Sequence, residues 1–172
     1  LEPGEVAVIQ MRNIEEGSIA WPTLARVTLP TKRAPDFLAS GDVIFTTRGR
    51  RNFAFALDEI PGPAVCSPHF FILRPREPDE LLPAFLAWQI NQKPAQEYLQ
   101  QAATGSHILN ITRGAIESLP VVIPPVAVQR AIVELADAAR RERELANVLI
   151  DNRQRQLDAV AAQILIPERL PA

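Results

Sequence analysis

Few residues in this 172-residue chain are of types that do chemistry, and they are scattered. There is one cysteine, Cys66, and there are two histidines, His69 and His107. Cys66 with His69 is a conceivable nucleophile and base. In an extended strand, though, residues three apart point to opposite faces, so the pair has poor geometry and Cys66 reads as a small buried hydrophobe. Neither histidine has a metal-ligand spacing such as HxxxH, and a lone cysteine makes neither an internal disulfide nor a thiolate zinc site. The chain has no GxxxxGK[ST] phosphate loop and no GxGxxG turn. Nothing assembles into an active site, so the chain is expected to be non-catalytic. An enzyme built on Cys66 or His107 is the weakest reading, and unchanged activity after replacing both would remove it.

Charge is more informative than nucleophiles. The net charge of -2 argues weakly against a nucleic-acid binder, because such domains are often basic. Its distribution argues the other way. Between Arg26 and Arg51 lie six basic residues, Arg26, Lys32, Arg33, Arg48, Arg50 and Arg51, against Asp36 and Asp42, a local +4. Residues 1–25 carry -3, residues 52–124 carry -3, and residues 125–172 are neutral. Focused positive charge draws phosphate, although an arginine-rich solvated loop would look the same. Gly49, inside TTRGRRN, either lets the backbone approach a ligand closely or simply turns a hairpin.

The elements that must position these residues come in a readable order. VAVIQM, from Val6, reads as a buried strand, and Asn13–Ser18 as a turn. Ile19 to Leu29 reads as extended. Asp42 follows Gly41 at a turn and caps it by a side-chain-to-backbone bond. VIFTT, from Val43, is a strand, 48–52 is a loop, and Phe53–Leu57 is the returning strand. Val65–Leu73 reads as one further strand made irregular by Pro68. Leu81–Gln101 switches to helical spacing, with a break or kink near Pro94. Thr112–Leu119 reads as a short helical turn and Pro120–Ile123 as a last strand. Strands first, then helices, without βαβ alternation, predict an α+β fold with a mixed or antiparallel sheet.

About forty residues after Pro124-Pro125 then run without Gly or Pro until Pro167. Proline fits a helix's first turn and stops its end, so this is one helix of ~60 Å. That length exceeds the diameter of the domain before it and calls for a partner. A heptad on Ile132 puts Ile132, Ala139, Ala146, Arg153 and Val160 in one column and Leu135, Glu142, Leu149, Gln156 and Gln163 in the other. Ala136, Ile150, Leu157 and Ile164 widen the stripe. The seam is apolar at both ends and polar at a waist around Arg140–Glu144, unlike an uninterrupted zipper. A helix folded back on its own domain is the alternative. The expected organisation is a domain over 1–124, a spacer and dimerisation helix over 125–166, and a tail over 167–172.

No apolar run approaches the ~20 residues that span a bilayer, and no signal-peptide pattern opens the chain. A soluble, cytoplasmic protein is expected. The chain begins at Leu1 without methionine, close to a strand, so residues are expected to be missing upstream.

The order VIQMRNIEEGSI, then LASGDVIFTTRG, then TGSHILNITRGAIESLPVVIPPVAVQRAIVELAD resembles a target-recognition domain and its following helix from the specificity subunit of type I restriction–modification systems. Leu38–Arg51 matches that family's L-x-x-G-D-[IV]-L turn with its Gly-bearing loop. Gly105–Ser106, Ile111–Leu119 and Pro124–Ile132 match its Gly-Ser loop, its strand ending in [LI]-P-P-L and its x-E-Q-x-x-I helix start. The usual Glu-Gln is Val128-Gln129 here. Most members carry two such domains and two long helices, so the resemblance implies a half-size subunit or a fragment. A half subunit would homodimerise so that two copies read two half-sites.

The resemblance implies a non-catalytic subunit that reads double-stranded DNA. It would hold a DNA methyltransferase subunit, which carries the S-adenosylmethionine, and in the full complex a restriction motor–nuclease subunit. No cofactor would bind this chain. The DNA-facing residues would be Lys32, Arg33, Arg48, Arg50, Arg51 and Asn52, with Ser106, His107, Asn110 and Arg113 as a second group. Arginine grips phosphate or pairs with guanine, and asparagine suits adenine. Ile132, Leu135, Ala139, Ala146, Leu149, Ile150, Leu157, Val160 and Ile164 would form the helix interface. A protein-interaction adaptor that dimerises through the helix and binds no DNA is the competing reading.

Overall fold

A computed structural model describes residues 4–15, 18–29, 35–48, 52–103 and 110–165. The strands in chain order are β1 (Val6–Ile9), β2 (Ile14–Glu15), β3 (Ser18–Ile19), β4 (Ala25–Val27), β5 (Val43–Thr46), β6 (Ala54–Ala56), β7 (Ala64–Cys66) and β8 (Phe70–Leu73). Helices α1 (Pro83–Ile90), α2 (Lys93–Ala102), α3 (Arg113–Glu117) and α4 (Val126–Leu165) follow. The chain is α+β, with small mixed and antiparallel sheets and a long C-terminal helix. It divides into two compact units, Leu1–Val133 and Glu134–Ala172.

The first unit is organised around β5. VIFT has three apolar residues in succession before Thr46, and all four of its residues are buried. A strand reads that way when both of its faces are covered. Val43 and Phe45 point into a core shared with Leu86, Ile90, Leu99, Ile111 and Ile116 from the helical side. Ile44 points into a second core with Ile9, Leu38, Phe55 and Phe70. Period-2 alternation thus makes one strand the wall between two cores. Burying the Phe45 side chain alone contributes about 1.5–3 kcal/mol. β5 is flanked antiparallel by β6 and β8, with Phe45 opposite Ala54 and Phe71. β1 pairs antiparallel with β4 and parallel with β7, and β2 and β3 form a small hairpin. Gly4 is required where it stands, because a Cβ there would lie 1.9 Å from the Val27 carbonyl carbon.

Two expectations change and one holds. Val65–Leu73 is not one strand. The turn at 67–69 splits it into β7, on the β1 sheet, and β8, on the β5 sheet, so Pro68 marks a change of sheet. The break expected near Pro94 is present: α1 ends at Ile90, and Pro94 lies in the first turn of α2, where its missing N–H costs nothing. Residues 120–123 join no ladder. The Val122 backbone is instead held by the Gln89 carboxamide, which donates to its oxygen and accepts from its N–H, both at 2.8 Å.

The turn before β5 behaves as its sequence implies and does more. Gly41 takes φ +86°, which glycine adopts without strain. Asp42 Oδ2 accepts from Ala39 N at 2.8 Å, the expected cap. Asp42 is also fully buried and receives two bonds from Arg74, Nε to Oδ1 at 2.6 Å and Nη2 to Oδ2 at 2.7 Å. The hydrogen bond to Asp42, and then its charge, raises the Arg74 pKa. Among the described residues, no helix is long and apolar enough to cross a membrane.

Replacing Arg74 with alanine leaves a buried carboxylate with only Ala39 N as partner. The expected loss in urea denaturation is ~2–3 kcal/mol, below the ~3–5 of a wholly buried pair because Arg74 is itself half exposed. Adding Asp42→Asn removes the stranded charge. The double substitution should therefore cost less than the sum of the two singles, and simple additivity would show that the pair does not act as a unit.

Candidate nucleic-acid interface

The neck of the basic loop is pinned by several hydrogen bonds. At the end of β5, Thr46 N donates to Phe53 O at 2.9 Å and Thr46 Oγ1 accepts from Phe53 N at 2.9 Å. The hydroxyl thereby takes the N–H that would otherwise serve the Thr46 carbonyl. Asn52 Nδ2 fills that place, donating to Thr46 O at 2.7 Å. Thr47 N and Thr47 Oγ1 both donate to His69 O at 3.0 Å, tying the neck to the turn between β7 and β8.

The next residue, Arg48, is exposed and pairs as an isolated antiparallel bridge with Asn110. Ile111 N donates to Thr47 O at 3.1 Å beside it. One residue of each candidate group, Arg48 and Asn110, is therefore paired with the other across a long separation in sequence. The bridge holds the described edges of segment 49–51 and of segment 104–109 side by side. Lys32, Arg33, Arg50, Arg51, Ser106 and His107 lie outside the described residues.

Arg113 stands close after this junction on α3, whose N-cap Thr112 accepts from Ala115 N at 3.3 Å. It is exposed, and its Nε donates to Glu117 Oε1 at 2.7 Å. That hydrogen bond, and then the Glu117 charge, raises the Arg113 pKa, so the guanidinium stays charged. A solvated i,i+4 pair of this kind is weak, and a phosphate can replace the carboxylate. Asn52 occupies a different kind of place from the other three described candidates. It is 8% exposed and its amide is engaged by Thr46, so it shapes the loop neck from inside. Neither Thr46, buried and polar, nor the His69 carbonyl was signalled by sequence. Both act through backbone geometry that only the closed hairpin creates.

A cleft of about 460 Å³ lies beside α3, lined by residues that include Cys66, Ser67, Phe71, Leu73, Arg113 and Glu117. The Ser67 hydroxyl there is buried without a hydrogen-bond partner among the described residues. Cys66 faces an environment hostile to a thiolate. Burial first, then the negative charges of Asp42 and Asp36, push its pKa up to about 12. Among the described residues, no group of three or more His, Cys, Asp or Glu side chains is placed to hold a metal ion.

Helix α4 carries the face expected to meet a partner, all of it but Ile132 in the second unit. Leu135, Leu149, Ile150, Leu157, Val160 and Ile164 are each at least half exposed, and Ala139 and Ala146 are exposed with them; Ile132, nearer the root, is half-buried. Leu145, Val148 and Leu165 are also exposed and were not singled out by the heptad. At the polar waist Arg140 sits between Glu144, at 2.7 Å, and Asp137, at 3.6 Å.

No protein-family model matches the chain, and comparison with curated proteins finds no match. Among solved structures, the crystal structure of the HsdS subunit from Thermoanaerobacter tengcongensis matches with a TM-score of 0.65 at 20% sequence identity. The match covers 96% of this chain and 44% of that one, so the chain spans less than half the length of that subunit. The likeness shows that the two share a fold.

The surroundings of Cys66 make a sharp prediction. A disulfide reagent at pH 8 should label the folded protein about a thousandfold more slowly than the unfolded one, because the thiolate fraction is that much smaller. The folded thiol keeps its proton to about 12, whereas an ordinary thiol here loses it near 9.0. Its contribution to stability is therefore complete below pH 9 and is lost as the pH rises above it. Fast native labelling would show that Cys66 is an accessible, activated thiol.

Proposed function

We propose that this chain is a DNA-recognition unit of a type I restriction–modification system, a specificity subunit of half size or part of a larger one. In this reading residues 1–124 read one half of a split duplex site, and residues 125–166 form the spacer and dock. It does no chemistry itself and positions a DNA methyltransferase subunit, which carries S-adenosylmethionine, with a restriction motor–nuclease subunit joining in the full complex. The observation that carries the reading is the bridge between Arg48 and Asn110. It sets Arg48 of the basic loop beside Asn110 of the second candidate group, which supports one surface reading a short stretch of duplex. The order of the sequence motifs and the fold shared with an HsdS subunit support it from two other directions.

The physical division of labour follows from residue type. Arg48 and Arg113 are exposed cations suited to phosphate oxygens or to the O6 and N7 edge of guanine. Lys32, Arg33, Arg50 and Arg51 add charge from the same part of the chain. Asn110, Ser106 and His107 supply neutral donors and acceptors able to distinguish base edges. Steering by this focused charge brings DNA to the surface despite the net charge of -2.

Binding to duplex DNA, measured with the full chain and its methyltransferase partner over a range of salt, tests the reading. Each phosphate-gripping arginine changed to alanine should lower the slope of log affinity against log salt by about 1. Arg48→Ala, Arg50→Ala and Arg51→Ala together should lower it by up to about 3. A triple variant with unchanged affinity for every duplex would remove this surface, and the adaptor reading would stand in its place.

Self-association is tested separately. The exposed apolar face of α4 should make the chain dimeric in analytical ultracentrifugation, and Leu149→Glu with Leu157→Glu should make it monomeric. A chain that is strictly monomeric at high concentration would mean that the helix takes a different partner.

A further inference from the structure

Gln129 is an anomaly in α4. In a helix of 40 residues it is the sole buried one among those described, and it is 0% exposed. A buried carboxamide is costly unless all its groups are paired, and here they are. Its Oε1 accepts from Leu82 N at 2.9 Å. Its Nε2 donates to Glu80 O at 2.7 Å and to Pro124 O at 2.7 Å. Leu82 is the N-cap residue of α1, so Gln129 satisfies an N–H near that helix's start, where such groups lack partners.

A second amide works from the other side. Gln89, on α1, both donates to and accepts from Val122, as a neighbouring β-strand would. Residues 80–89 thus grip positions 122 and 129, on both sides of the Pro-Pro step, through four hydrogen bonds to carboxamides. α1 is itself fixed to β6, since the Asn91 carboxamide accepts from Ala54 N at 2.8 Å and donates to Ala54 O at 2.7 Å.

A leucine would fill the volume at 129 without needing partners. Apolar contact is non-directional, whereas hydrogen bonds fix distance and angle. What the amide adds is therefore a single seating of the helix's first turn. We propose that Gln129, assisted by Gln89, is the positioning element that seats the root of α4 on the recognition fold and thereby restricts the protein to one spacing between half-sites. The inference rests on the DNA-recognition reading above and adds a residue-level origin for the spacing.

The experiment selects duplexes from a randomised library with the full chain and its methyltransferase partner. It compares the unchanged chain with Gln129→Leu and Gln89→Ala, and the unfolding temperature is measured alongside. The unchanged chain should return two half-sites at one gap length. Both variants should return the same half-sites at gaps longer and shorter by one or more base pairs. If Gln129→Leu does not fold, Gln89→Ala, at a half-buried position, decides. Variants that keep the single gap, whatever their unfolding temperature, overturn the inference and leave Gln129 as a satisfied core amide. Half-sites returned by the unchanged chain at every gap length overturn it as well while sparing the DNA reading. If the unchanged chain returns no preferred duplex, both fall together.

Discussion

A carboxylate with no exposed surface must be compensated from within the protein, and the arrangement of the first unit follows from how Asp42 is compensated. Its three bonds reach the turn at Ala39 and the end of β8 at Arg74, drawing the start of β5 and the far side of its sheet to one point. Hydrogen bonds to an ionised group are roughly twice as strong as neutral ones, and the guanidinium delivers two of them in a fixed plane. With its start held there, β5 can be buried on both faces and still keep a single register. A one-residue slip would exchange the sides of Phe45 and Ile44 and unpair Asp42 at the same step.

Elsewhere side-chain amides do what ladders do in larger sheets. The strands are two to four residues long, too short to satisfy their own ends. Asn52 serves the Thr46 carbonyl, Asn91 the backbone of Ala54, and Gln89 that of Val122. Each is a neutral group with a donor and an acceptor on one plane, which is what a missing strand neighbour would supply. Short strands with amide substitutes keep the unit small.

The sequence was legible where the controlling interaction was local. VIFTT announced a strand, Gly41–Asp42 announced its turn, and the Pro-Pro step announced the start of α4. It was illegible where the partner was distant. Nothing near Asp42 points to Arg74, 32 residues on, and nothing near Gln129 points to Leu82. Pro68 reads equally as an irregular strand or as a passage between sheets, and only the separate pairing of β7 and β8 decides. Among the candidate contact residues, type and charge singled out Arg48 and Asn110, but neither property could say that the two pair. Asn52 was chosen for its chemistry, and its chemistry is used internally because the Thr46 hydroxyl had already taken the Phe53 N–H.

The bridge between residues 48 and 110 closes a loop of 62 positions, and chain entropy opposes that closure until the cores between are in place. The pairing of Arg48 with Asn110 is thus a late product of folding rather than a property of either segment. A peptide carrying the arginine-rich segment would keep its charge and lose its counterpart. Chain synthesised only as far as α2 would already hold the basic loop, yet lack Asn110 to set beside it. During synthesis the positive charge is therefore present well before Arg48 has Asn110 to pair with.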